Sequence, residues 1–274
     1  MSFLFSPQLL LAAFVGAVME LDTYFVGMTL FSQPIIVGGI TGLIFHDLTT
    51  GILIGSIVQL IWISPPVGAY VPPSSTAIAF TATALALNLP TYVTQSNPQE
   101  LMMYHQSLLM YSIALGVAAG YYVGQADIWN RKLNTIIVHI FEPGILAGRQ
   151  SSVFAVQLFS VLAKFLKDFI GIVLVLGLGV ELAAKIYNSL PSEVIEGLSR
   201  ALWLMPVIGL AVVYELFRSK FGSMIHIVSF IVCYILLLNN VINPLFLTLI
   251  VLIVCSVVVY TFVWKKKDVL NGKK

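Results

Sequence analysis

Between Pro34 and Ser75 the chain reads PIIVGGITGLIFHDLTTGILIGSIVQLIWISPPVGAYVPPSS, a string of apolar runs broken by glycines and closed by two Pro-Pro pairs. A helix needs about 20 apolar residues to cross the hydrocarbon core of a bilayer, and none of these runs is that long. Yet the 274 residues are 59% hydrophobic and 9% charged, with a mean hydropathy of +0.97, against about 25% charged for a soluble domain. The chain reads as a polytopic membrane protein. Irregular backbone at bilayer depth persists only where protein buries it or where it lines a wet cavity, because an unpaired amide is costly in hydrocarbon. The stretch is therefore read as a solute site.

The expected fold is all-α, with re-entrant hairpins and broken helices in the N-terminal half and full transmembrane helices in the C-terminal half. Leu9 to Met19, Leu30 to Ile44, Gly51 to Ile63 and Thr76 to Val93 are near or below crossing length, and Gly38, Gly39, Gly42, Gly51 and Gly55 interrupt two of them. Short paired segments of this kind are typical of a transporter's midplane site. Full-length candidates are Tyr104 to Val123, Ile170 to Ala184, Leu202 to Phe217, Ser223 to Leu238 and Pro244 to Trp264. The last ends in Tyr260 and Trp264, an aromatic belt, and meets Lys265, Lys266 and Lys267. The positive-inside rule puts that tail in the cytoplasm. It puts residues 124–150, with Arg131, Lys132 and Arg149, there too, and leaves 91–103, 188–200 and 239–243 outside. Ser152 to Asp168 is read as partly interfacial, and Lys185 as paired with Glu181 one turn earlier. The whole is expected to be one membrane domain: 1–93 the hairpin-rich solute half, 104–264 the spanning helices, 265–274 the basic tail.

A formal net charge of +2 does not suggest nucleic acid. Cys233 and Cys255 lie in apolar runs without disulfide or metal spacing. The N-terminal run MSFLFSPQLLLAAFVGAV has no basic n-region or small-residue cleavage site and is read as retained. His46, His105, His139 and His226 form no metal or nucleophile pattern, so no catalytic residue, metal or cofactor is expected.

Polar residues at membrane depth are functional hypotheses by default. Glu20 and Asp22 fit either a surface hairpin turn or a buried role. Asp47, in HDLTTG, is placed to cap the helix that follows or to meet solute. Gln59 lies among Ile57, Val58, Leu60 and Ile61, where its amide suits helix–helix bonding or a pair of sugar hydroxyls. Trp62, Ser64, Pro65, Pro66, Gly68, Tyr70, Pro72, Pro73, Ser74 and Ser75 follow: prolines that leave carbonyls free, aromatic stacking faces and small hydroxyls. They describe either a stiff turn or a polyol pocket; an ion site wants clustered carboxylates. The expected substrate-binding set is Asp22, Asp47, Gln59, Trp62, Ser64, Gly68 and Ser74.

The run from Asp22 through Pro34, HDLTTG, Gly55, Gln59 and PVGAYVPPSS resembles the mannose-family enzyme IIC subunit of the bacterial sugar phosphotransferase system. SLPSEVIEGLSRA, with Leu190, Pro191, Val194, Gly197 and Leu198, is similar to a segment before that family's later spans. Gln59 stands where the family usually has glutamate, Pro66 where it has asparagine, Ser74 where it has aspartate and Gln33 where it has arginine. The resemblance implies a multi-pass permease of the bacterial inner membrane, not an enzyme by itself. It would bind a hexose or amino sugar with a IID membrane subunit, while cytoplasmic IIA and IIB carry the phosphoryl group. It also implies a homo-oligomer of IIC/IID pairs. The alternative is a IIC-like scaffold that has lost transport, which the missing carboxylates favour.

Overall fold

The computed structural model describes residues 6–27, 29–62, 73–93 and 101–216. Among them there is no strand. Contacts divide the chain into a unit of Met1–Gly209 and a unit of Leu210–Lys274; of the latter only the end of the last described helix is covered. The spans expected at Ser223 to Leu238 and Pro244 to Trp264, and the basic tail, lie outside the described residues.

Helix α1 (Pro7–Leu21) starts where Ser6 Oγ accepts from the Leu9 amide at 3.2 Å, with proline in the first turn. A π-helical turn, Asp22–Val26, continues it to Gly27, whose φ of 104° is open to glycine alone without strain. Helices α2 (Pro34–Ile44) and α3 (Leu48–Ile61) form a tight hairpin turned at Phe45–Asp47. At 11 and 14 residues they reach only about 16 and 21 Å, short of a full crossing. The glycines here do not break the helices, contrary to expectation. They form a seam along which the two backbones touch: a Cβ on Gly38 would sit 2.9 Å from Gly55 Cα, and one on Gly55 would sit 2.5 Å from Pro34 O.

Helix α4 (Ser75–Asn88), extended by the 3₁₀ turn Leu89–Thr91, is the centre of the first unit. Every residue from Thr76 to Ala86 is buried, and the helix packs against α1, α2, α3, α5 and α6. Its alanines allow that closeness, and Gly116 and Gly120 of α5 complete it: a Cβ on Gly116 would lie 2.8 Å from Ile78 O.

Helices α5 (Leu101–Leu146) and α6 (Gln150–Asn188) are the two described helices long and apolar enough to cross a membrane. They run antiparallel around a turn at Gly148 (φ 71°). Phe141 stacks on Phe159 near that turn at 5.7 Å, and Tyr111 Oη donates to Ala183 O at 3.1 Å near the other end. With 46 and 39 residues they extend about 69 and 58 Å, roughly twice the thickness of a bilayer core of about 30 Å.

One expectation is corrected here: α7 (Ser192–Leu216) begins inside the expected 188–200 loop. Residues 124–146, expected on the cytoplasmic side, continue α5, and Ser152 to Asp168, expected as partly interfacial, is the first half of α6. Basic residues were read as loop markers. Lys164 and Lys167 instead find carboxylates across the hairpin, which lets the helix carry them.

Candidate functional site

Polar side chains gather where the C-terminal ends of α1 and α3 meet the N-terminal ends of α2 and α4. Asp22, at the end of α1, organises the link to α2. Its Oδ1 accepts from the Thr29 amide at 2.8 Å and the Thr29 hydroxyl at 2.6 Å; its Oδ2 accepts from the Ser32 amide at 3.1 Å and the Ser32 hydroxyl at 3.0 Å. Two donors on each oxygen use the acceptor capacity of a carboxylate in full. The wrap includes Leu30 at φ 75°, a left-handed conformation uncommon for a branched side chain. Ser32 O in turn accepts from Thr76 Oγ1 at 2.9 Å, tying this link to the first turn of α4.

Gln59, in the last turn of α3, donates through Nε2 to Gln33 Oε1 at 2.9 Å. Its own Oε1 is buried and has no donor among the described residues. Trp62 ends the helix, its amide bonding Val58 O at 3.0 Å. From there the chain goes to Pro73 and Ser74 through residues 63–72, outside the described residues together with the expected site residues Ser64 and Gly68. Ser74 caps α4, accepting from the Ala77 amide at 3.1 Å, while its hydroxyl donates to Glu20 Oε1 and its amide to Gly120 O at 3.0 Å.

Of the expected residues, Asp22, Gln59, Trp62 and Ser74 thus belong to one end of the helical hairpin. Asp47 does not join them. It lies at the opposite end of α3, a rise of about 20 Å away, as that helix's cap: Oδ1 accepts from the Thr50 amide at 3.0 Å and Oδ2 from the Thr50 hydroxyl at 2.6 Å.

Behind Ser74 is a charge cluster that sequence reading did not assemble. Glu20 is buried at 3% exposure, resolving its two open readings in favour of the buried one, and Lys164 of α6 at 1%. Lys164 Nζ lies 3.8 Å from Glu20 Oε2, 2.7 Å from Asp127 Oδ1 of α5 and 3.0 Å from Asp168 Oδ2. Lys167 pairs with Asp127 and, at 2.7 Å, with Asp168. Charges this deep are held only by such mutual contact. One signal was legible: Lys164 and Asp168 are four residues apart in an apolar helix, as pairing requires. A cleft of about 70 Å³ beside Asp127 and Lys164 is further lined by Phe25, Asn130, Arg131 and Asn134.

No curated protein matches the chain. Among solved structures it is similar to one described as "Structure of membrane protein", with a TM-score of 0.63 and 20% identity over 94% of this chain and 96% of that one. It is also similar to the mannose transporter ManYZ in complex with microcin E492, with a TM-score of 0.49 and 20% identity over 93% and 94%. The first similarity shows a fold shared with that membrane protein. The model of the family described as the PTS system sorbose-specific IIC component matches residues 7–259, nearly all of the chain and both the gathered helix ends and the long hairpin, and the chain belongs to that family of mannose-type phosphotransferase IIC subunits.

Proposed function

We propose that this chain is the sugar-translocating IIC subunit of a phosphotransferase system, binding a hexose or amino sugar where α1, α2, α3 and α4 meet. The observation that carries the reading is Gln59 Oε1, a buried acceptor without a donor among the described residues, at the start of a proline-rich connection. A buried acceptor left unpaired costs about 1–3 kcal/mol, which a sugar hydroxyl would recover. Trp62 supplies a stacking face for the sugar ring, and Ser64 and Gly68, which follow it in the sequence, complete the proposed set. Ser74 anchors that connection at α4. Asp22 shapes the neighbouring link, its oxygens already occupied. Asp47 serves the far end of the hairpin as a cap.

In this reading the chain works with a IID membrane subunit in paired, higher-order assembly, in the bacterial cytoplasmic membrane with the C-terminal tail inside. IIA and IIB bring the phosphoryl group, so this subunit transports and does not itself carry phosphate. Apolar side chains exposed on the outer half of the α5–α6 hairpin, among them Ile136, Ile140, Phe154 and Leu158, offer surface for a membrane partner.

The test is co-expression with a cognate IID subunit, followed by radiolabelled mannose, sorbose and amino-sugar uptake with phosphorylated IIB present. Gln59→Ala is expected to lower uptake at least tenfold, as one lost hydrogen bond in a dry site implies. Assembly without uptake of any sugar would favour the scaffold alternative, and undiminished uptake by Gln59→Ala would remove Gln59 from the site.

A further inference from the structure

The elements that gather at the candidate sugar site carry little charge, and what they carry is already engaged. The sequence has no lysine or arginine before Arg131, and across residues 1–93 its acids are Glu20, Asp22 and Asp47. Asp22 accepts its four hydrogen bonds from Thr29 and Ser32, and Glu20 accepts from the Ser74 hydroxyl. Asp47 caps α3 at the far end of the hairpin, where its oxygens accept from Thr50. His46 lies at that same far end, bonded to Gln8 at 3.2 Å. On the long hairpin, Lys164 and Lys167 are held by Asp127 and Asp168, and Arg131 opens on the cleft beside Asp127.

What the site offers a ligand is a pair of primary amides. Gln59 Nε2 donates to Gln33 Oε1 at 2.9 Å, and Gln59 Oε1 is left as a buried acceptor with no donor among the described residues. The pair is firmly mounted, because the glycine seam sets Gly55, one turn before Gln59, against Pro34, the neighbour of Gln33. Turning either amide over exchanges its oxygen and nitrogen but leaves the pair neutral. A sugar hydroxyl or an N-acyl N–H satisfies such an acceptor without bringing charge. An ammonium group also donates, but its charge would leave water for a place without a counter-ion, a cost that a neutral acceptor does not recover. A carboxylate would meet no cation from α1 to α4 and would face an acceptor oxygen. We propose that the Gln33–Gln59 pair selects uncharged sugars, free hexoses or N-acylated amino sugars, and rejects those carrying a free ammonium or carboxylate group. This narrows the functional reading above and rests on Gln59 belonging to the sugar site.

The experiment is competition for the full-length protein in nanodiscs. The radiolabelled ligand is whichever binds tightest of mannose, glucose and their N-acetylamino forms; the competitors are the amino sugar and the uronate with the same ring. At about pH 6, below the range in which α-amino groups titrate, both charged sugars are expected to compete about a hundredfold or more weakly than the unlabelled neutral ligand. At about pH 9, above that range, the amino sugar has lost its proton and is expected to compete about tenfold better or more, while the neutral ligand shifts by less than about threefold. Shape does not change with pH, so this recovery isolates charge. Gln59→Glu supplies the missing counter-ion and is expected to move the ratio of amino-sugar to neutral-sugar binding at least about tenfold toward the amine, and the uronate in the opposite direction. Equal competition by charged and neutral sugars, discrimination that the higher pH leaves unchanged, or an unmoved ratio in a folded Gln59→Glu would each overturn the selection and leave the sugar site standing. Binding of none of the neutral sugars would overturn the sugar site and the selection with it. If Gln59→Glu does not fold, the two pH values applied to the unmodified protein decide the matter alone.

Discussion

Asp22 receives four hydrogen bonds from the seven-to-ten-residue loop behind it, through Thr29 and Ser32. Asn at this position keeps one oxygen and turns an amide group toward donors, so Asp22→Asn is expected to lower stability by about 1.5–3 kcal/mol, the range for bonds to a charged group. A thermal melt in detergent reads this as a drop in midpoint, and a melt that does not move would show that the loop holds itself. Residue identities were legible in the sequence where a single side chain had an obvious local duty: Asp47 before Leu48 reads as a cap and is one. Partners far along the chain were not. Gln33 and Gln59 are 26 residues apart and read as two separate departures from the pattern of the family the chain resembles; in the fold they are hydrogen-bonded to each other. The two facing side chains form one neutral hydrogen-bonded unit, and only the geometry of the hairpin makes it visible.

Helix elements follow the same division. That α1 to α4 are short was readable from run length alone, because hydrophobic length is set by the membrane and not by neighbours. That the glycines of α2 and α3 join helices rather than interrupt them was not, since a glycine in sequence carries the same letter in a kink and in a close contact. The two uses separate by experiment. Gly51→Ala puts a methyl group where Gly42 Cα would be 2.8 Å away, and prying two backbones apart is expected to cost about 1–3 kcal/mol. Gly39, in the same helix pair, would meet nothing nearer than Ile52 Cγ1 at 3.6 Å. There alanine has room and is the better helix former by about 1 kcal/mol, so Gly39→Ala is expected to leave the melting midpoint level or higher. Equal effects of the two substitutions would mean that the seam does not hold the hairpin.

At the scale of the whole chain the decisive feature is the length of α5 and α6. A positive charge near the end of an apolar run usually marks the exit from the membrane, and Arg131, Lys132, Lys164 and Lys167 satisfy that rule while sitting within unbroken helices. The rule sees charge but not its partner: Asp127 and Asp168 neutralise the two lysines from inside the hairpin, so the helices run on through the charged positions. The distinction has a direct chemical readout in limited trypsin digestion of the protein in nanodiscs. A protease needs several residues of extended backbone in its cleft, and local opening of a helix middle is far rarer than opening of a turn. Arg131 and Lys132 are both exposed side chains, so a loop across residues 124–150 would be cut at either. In the continuous hairpin the site that presents extended backbone is Arg149, which precedes α6 with φ −77° and ψ 108° beside the left-handed Gly148. Within the hairpin, first cleavage is therefore expected after Arg149, splitting it at the turn, with cuts after Arg131 and Lys132 slower by an order of magnitude or so. The same digestion of Lys164→Met, which leaves Asp127 and Asp168 with one lysine between them, is expected to bring the Arg131 and Lys132 cuts forward, because breaking a buried ion pair costs about 3–5 kcal/mol. Early cleavage at Arg131 in the unmodified protein would restore the loop and shorten both helices to a single crossing.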